Sequence, residues 1–192
     1  MSEKPVNEKN SSLEFVFDLV SVLATACVSV ALVFMFVFRT VGVIGESMNP
    51  TLDTGDRIIL TAAYADCKYG DIVVTCQPSR SPFVPDILVK RVIATEGQTV
   101  DIDFEKGEVY VDGAELDEPY IAEPTKDRED FIGPVTVPDG YVFVMGDNRN
   151  HSTDSRSNSV GLIREEYIMG KALFRIAPFG NFKINYADGR NP

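Results

Sequence analysis

Twenty consecutive residues, Leu19 to Phe38, carry no charge, and in the longer stretch Phe15 to Phe38 the sole charge is Asp18. In a helix at about 1.5 Å per residue, twenty residues reach roughly 30 Å, the hydrocarbon thickness of a bilayer. Ser21, Thr25 and Ser29 interrupt the run mildly, since helical hydroxyls can bond back to the preceding turn. A cleaved signal peptide has a shorter apolar region, about 7–15 residues, ending in small residues, whereas this one ends in Val37, Phe38 and Arg39. A buried core helix would show a polar face, and none is visible. The segment therefore reads as a membrane-spanning helix, with Asp18 at its hydrated edge.

This span divides the chain. Residues 1–14 form a polar lead-in, 15–38 the transmembrane helix, and 39–192 a separate extracytoplasmic domain. Lys4 and Lys9 lie before the span and Arg39 after it, so the positive-inside rule tilts toward a cytoplasmic N-terminus.

The remainder is β in texture. Runs at Arg57–Leu60, Asp71–Thr75, Ile87–Ile93, Glu108–Val111 and Tyr141–Val144 are rich in β-branched and aromatic residues. They are bounded by turn signals such as Gly55-Asp56, Asp112-Gly113 and Asp139-Gly140. A short turn near Arg164–Ile168 is the one helical feature. The expected fold class is mainly β: one N-terminal helix followed by an antiparallel, barrel-like folded sheet. Residues of about 96–135 form an acidic hairpin insertion, in which 13 acids lie between Glu96 and Asp130.

Net charge is −11, which argues against a nucleic-acid partner, whose phosphates need a basic face. Three Cys and one His make no zinc spacing, so neither metal nor cofactor is expected. Cys67 and Cys76 flank one predicted strand and could pair in an oxidising compartment or remain free.

Three stretches are more specific than packing needs. Gly45-Glu-Ser-Met-Asn-Pro-Thr-Leu52 presents Ser47 in a turn. In the strand Ile87–Ile93, Lys90 shares a face with Leu88 and Val92 while Arg91 points the other way. A lysine desolvated on an apolar face loses basicity and can serve as a general base; snorkelling to water, or pairing with an acid, is the plainer alternative. Met145 to Arg156 is a dense polar run suited to a hydrogen-bonded network. A Ser47–His151 pair lacks the Gly-x-Ser-x-Gly setting, so Ser47 with Lys90 is the better nucleophile and base.

Ser47-Met48-x-Pro50-Thr51, Lys90-Arg91-Val92, and Gly146-Asp147-Asn148-Arg149 followed by Ser152, Asp154, Ser155 and Arg156 resemble, in this order behind an anchor, the boxes of bacterial type I signal peptidases. Gly45-Glu46 and the single anchor resemble the Gram-positive branch, and the resemblance covers roughly residues 15–175. It implies a membrane-bound serine endopeptidase that removes N-terminal signal peptides from exported preproteins, cutting after Ala-x-Ala. Its partners would be preproteins and membrane lipid. Ser47 would be the nucleophile and neutral Lys90 the base. By the same resemblance the Ser152 hydroxyl would hold the Lys90 amine, and Asp154 would pair with Arg156 and Arg91. Met48, Leu52, Leu88 and Val89 would line a pocket for small side chains. Gly45 stands where some members carry a second oxyanion-donating serine. Ala94-Thr-Glu-Gly-Gln98 departs from the family's Gly-x-Pro-Gly-Asp turn. A self-cleaving regulator of the LexA-repressor type, and a non-catalytic β-domain that binds exported chains, are the alternatives.

Overall fold

The computed structural model describes residues 8–61, 66–78, 81–178, 182 and 184. The chain divides into two compact units, Met1–Phe38 and Arg39–Pro192. The first is the helix α1, Glu8–Val37. Within it Leu13–Leu32 is long and apolar enough to cross a membrane, and none of it is buried. Asp18 lies inside that window rather than at its edge. Thr25 Oγ1 donates to Ser21 O and Ser29 Oγ to Thr25 O, each at 2.8 Å, so these hydroxyls are satisfied within the helix as the sequence suggests. Part of the polar lead-in, residues 1–7, lies outside the described residues.

Among the described residues the second unit has eleven strands: β1 Phe38–Gly42 (which begins at the boundary), β2 Arg57–Thr61, β3 Ile72–Cys76, β4 Ile87–Ala94, β5 Thr99–Asp103, β6 Glu108–Val111, β7 Ala114–Glu115, β8 Val135–Thr136, β9 Tyr141–Met145, β10 Ile163–Arg164 and β11 Ile168–Ala177. They form a seven-stranded sheet, β1-β2-β11-β3-β4-β9-β10, and a four-stranded sheet, β7-β6-β5-β8. The pairs β2/β11, β11/β3, β3/β4, β4/β9 and β9/β10 are all antiparallel. The fold is thus mainly β and antiparallel behind one apolar helix, as the texture predicts. The smaller sheet spans the acidic stretch and is a sheet in its own right, more than a hairpin.

All five strand runs noted in the sequence are strands, and the Arg164–Ile168 turn is a short 3-10 segment, Glu165–Tyr167. The long closing strand β11 is not among the runs noted in the sequence. Its pattern is interrupted because it bridges β2 and β3, with register shifts against both, and each bulge flips the side-chain alternation.

Among the described residues apolar side chains gather in three buried clusters, the first of them drawing on both sheets. Ile93, Ala94, Val100, Val109, Phe131 and Phe143 join the smaller sheet to the larger one. Met48, Leu52, Ile58, Leu60, Ile72 and Val74 pack beneath the Ser47 turn. Val73, Val92, Val142, Val144 and Ile163 cover a further face. At about 25 cal/mol per Å² of apolar surface removed from water, each buried Val or Ile contributes on the order of 1.5–3 kcal/mol. β4 runs through the middle of this, exposed at Ile87 and buried from Lys90 to Ala94. That gradient carries Lys90 from the rim into the interior. The unusual Thr95–Gln98 turn after β4 is closed by Gln98 itself. Its N–H donates to Thr95 O at 3.2 Å and its Oε1 accepts from Thr95 N at 3.0 Å.

Candidate active site

Ser47 follows a backbone turn that needs glycine: Gly45 has φ +99°, a left-handed conformation that a Cβ disfavours. Thr54 Oγ1 locks the turn by accepting from Gly45 N at 3.1 Å and donating to Gly45 O at 2.8 Å. Ser47 itself is half-buried. Its carbonyl accepts from Asn148 N at 3.0 Å, and Asn148 Nδ2 donates to Glu46 O at 3.1 Å. The loop after β9 thus clamps the serine turn from the other side.

Lys90 comes from the centre of β4, with 2% of its surface exposed. Its Nζ donates to Ser47 Oγ at 2.6 Å. Burial lowers its pKa from 10.5 to about 8, against the opposing pull of Asp154, Glu129 and Asp147; Arg156 adds to the fall. Among the described residues no carboxylate forms a direct ion pair with the amine, and it does not snorkel to water.

The loop from Gly146 to Arg156 supplies the surroundings. Gly146 has no space for a side chain, because a Cβ there would collide with the Ser47 carbonyl and with Ser152 Oγ and Cβ. Ser152 Oγ donates to Asp154 Oδ2 at 2.8 Å, which leaves its lone pairs as acceptors. Asp154 is fully buried and takes Arg156 Nε at 2.9 Å, Arg156 Nη2 at 2.9 Å and Gly146 N at 3.0 Å. Burial works to raise the Asp154 pKa, but Arg156, Lys90 and the Gly146 N–H outweigh it and hold it below the ordinary value.

Arg91 points away from Lys90 and pairs with Asp147, through Nε at 2.7 Å and Nη2 at 2.6 Å, both side chains having no exposed surface. The expected pairing of Arg91 with Asp154 is therefore corrected. Alternation along β4 carries Arg91 to the opposite face of the strand, where Asp147 waits beside Thr51. Arg91 also stacks on Tyr120, 3.9 Å from the ring centroid, and donates to Gly70 O at 2.9 Å. Arg149, equally buried, is held by Glu118 of the acidic segment at 2.7 and 2.5 Å.

An apolar groove of about 510 Å³ opens at Ser47 and Lys90. Met48, Leu88 and Val89 line it, together with Val41–Ile44 and Phe83–Pro85. Leu52 does not: it has no exposed surface and packs in the core beneath, because the Ser47 turn directs it inward. The roles of Thr51, Asp147, Asn148 and Glu118 as ties between boxes were invisible in the sequence. Only their presence in polar runs hinted at them. His151 is exposed on the 3-10 turn Arg149–His151. Cys27 and Cys76 are free thiols. Among the described residues no cluster of three or more His, Cys, Asp or Glu could hold a metal ion.

The family model "Signal peptidase, peptidase S26" matches residues 16–177. Signal peptidase I of Bacillus licheniformis is 37% identical over 192 residues, 94% of this chain and 97% of that protein. The probable signal peptidase I-1 of Synechocystis sp. is 38% identical over 175 residues, covering 88% and 86%. Signal peptidase IB of Staphylococcus aureus is 32% identical over 196 residues, covering 93% and 96%. The family match takes in Ser47, Lys90 and the whole loop that surrounds them, and on it the chain belongs to the signal peptidase family, peptidase S26.

Proposed function

We propose that this protein is a membrane-anchored serine endopeptidase that removes N-terminal signal peptides from exported preproteins, with Ser47 as nucleophile and Lys90 as general base. The observation that carries the reading is the 2.6 Å contact between a buried amine and a half-buried hydroxyl at the head of an apolar groove. With a pKa near 8, about a tenth of the Lys90 amines are neutral at pH 7, against roughly one in 3,000 for an ordinary lysine. A neutral amine takes the Ser47 proton as Oγ attacks the scissile carbonyl. The resulting ammonium returns it to the departing amine, and Lys90 then deprotonates the water that releases the acyl-enzyme.

The Ser47 backbone N–H makes no hydrogen bond among the described residues, so it is free to donate to the developing oxyanion, an interaction often worth a few kcal/mol. Gly45 offers no hydroxyl beside it, and its own N–H is engaged by Thr54. The groove suits an extended chain lying along β4, with small side chains before the cut entering against Met48, Leu88 and Val89. Helix α1 would span the membrane with residues 1–14 cytoplasmic and 39–192 outside. Such an anchor holds enzyme and membrane-inserted substrate in two dimensions and raises their effective concentration.

The test is cleavage of a purified preprotein by the full-length protein in detergent, with Ser47→Ala and Lys90→Ala beside it. A single cut after an Ala-x-Ala site, lost in both folded variants, is the expected result. Near-normal turnover by Lys90→Ala would overturn the assignment of the base.

A further inference from the structure

Large apolar side chains held out in water gather at one place on the second unit. Among its described residues Ile44, Phe83, Ile87, Ile132, Phe174 and Phe182 are exposed, and the first three all line the groove that opens at Ser47 and Lys90. Ile44 and Phe83 are each 92% exposed. Lys90 is the one charged side chain among those lining the groove, in a chain whose net charge is −11. Single apolar residues are ordinary on a surface, whereas a set of them beside a groove marks a contact surface.

The backbone on which these side chains stand is fastened. On one side of Ile44, Val43 N donates to Asp56 O at 2.8 Å and Val43 O accepts from Gly55 N at 3.0 Å; on the other, Thr54 Oγ1 holds Gly45. Val43 packs into the core while Ile44 faces out. Phe83 stands on a turn in which Val84 N donates to Ser81 O at 3.2 Å and Phe83 N to Ser81 Oγ at 3.3 Å. The next residue, Val84, packs against the buried cluster around Val73 and Val92. Both side chains are thus presented from ordered chain, which reduces the entropy lost when a ligand covers them.

We propose that Ile44 and Phe83 dock the end of the signal peptide's apolar segment, gripping the residues about four to six positions before the cut. This rests on the reading of the groove as the preprotein site. Along β4 the steps from Lys90 to Ile87 cover about 10 Å, which accommodates the residues one to three before the cut. The substrate residues next upstream leave the groove past Ile87, where the chain that carries Phe83 leads into β4. Ile44, three residues before Ser47, lies at most about 10 Å from it and so falls within the same reach. An Ala-x-Ala motif has little apolar surface to bury, so most of the apolar contact has to come from the residues before it. Contact remote from the reacting bond is also what holds the scissile carbonyl against its nucleophile.

The experiment compares kcat/KM, in detergent, for the full-length protein and a variant carrying both Ile44→Ser and Phe83→Ser. Two substrates are used: a preprotein, and a peptide that begins three residues before the same cut. Serine at these exposed positions removes apolar surface without opening the core. The ratio of preprotein to peptide kcat/KM is expected to fall about tenfold in the variant, through a higher KM. A preprotein with its upstream docking residues replaced by Ser should lose about tenfold with the wild type and little more with the variant, because both changes remove one contact. An equal loss on both substrates, additive losses, or an unchanged ratio overturns the proposal. So does a loss confined to liposomes and shared by every substrate, which makes lipid the occupant. If the wild type cuts the preprotein and Ser47→Ala does not, these failures leave the reading of the groove standing. Cleavage by Ser47→Ala brings down that reading and the proposal with it.

Discussion

Replacing Lys90 by methionine should stabilise the folded protein at neutral pH while abolishing cleavage. In the unfolded chain the amine keeps its proton up to about pH 10.4; in the folded protein, burial lets it go near pH 8. Each pH unit of that difference is worth ~1.4 kcal/mol, so an ammonium held in this site costs the fold about 3 kcal/mol. The sign follows from proton counts. Between pH 8 and 10.5 the unfolded state binds more protons than the folded one, so stability rises with pH through that window. Below pH 8 the cost is present in full.

Methionine has a similar length and no charge, so it removes the cost and forfeits only the hydrogen bond to Ser47 Oγ, roughly 1 kcal/mol. The net gain is about 2 kcal/mol at pH 7, or on the order of 4–8 °C in Tm for a domain of this size. Near pH 10 it should fall to zero or reverse. Thermal and urea unfolding of the full-length protein in detergent, at pH 7 and pH 10, measures both ends. A Lys90→Met variant less stable than wild type at pH 7, or a difference that does not change with pH, would refute the argument that burial depresses this amine.

Two other substitutions probe the frame around the pair. Gly146→Ala forces a methyl into the Ser47 carbonyl and Ser152, neither of which can withdraw without moving the nucleophile. It should cost about 1–3 kcal/mol of stability and on the order of a hundredfold in kcat/KM, read from unfolding curves and preprotein cleavage. Asp147→Asn leaves Arg91 without its countercharge where neither side chain meets solvent. A loss of about 3–5 kcal/mol is expected in urea unfolding, and a change under 1 kcal/mol would mean that the pair contributes little.

Much of this protein is written locally. The uncharged run Leu19–Phe38 specifies a long apolar helix, and short β-branched runs between glycine turns specify strands, because each signal lies within one element and repeats with that element's own period. The three polar boxes were likewise visible, as was the face of β4 that carries Lys90, since alternation along a strand is a local property. What the tertiary structure alone decided is who meets whom. Arg91 goes to Asp147 and not to Asp154 because of the register of β4 on β9, which sets Arg91 opposite Met145. Leu52, four residues after Met48, packs into the core while Met48 reaches the groove. Glu129 reads as one acid among many in an acidic stretch until the loop folds back and buries one oxygen of its carboxyl. The physical reason is common to all three. Desolvation and ion pairing depend on neighbours tens of residues away, and a chain's local pattern carries no record of that distance.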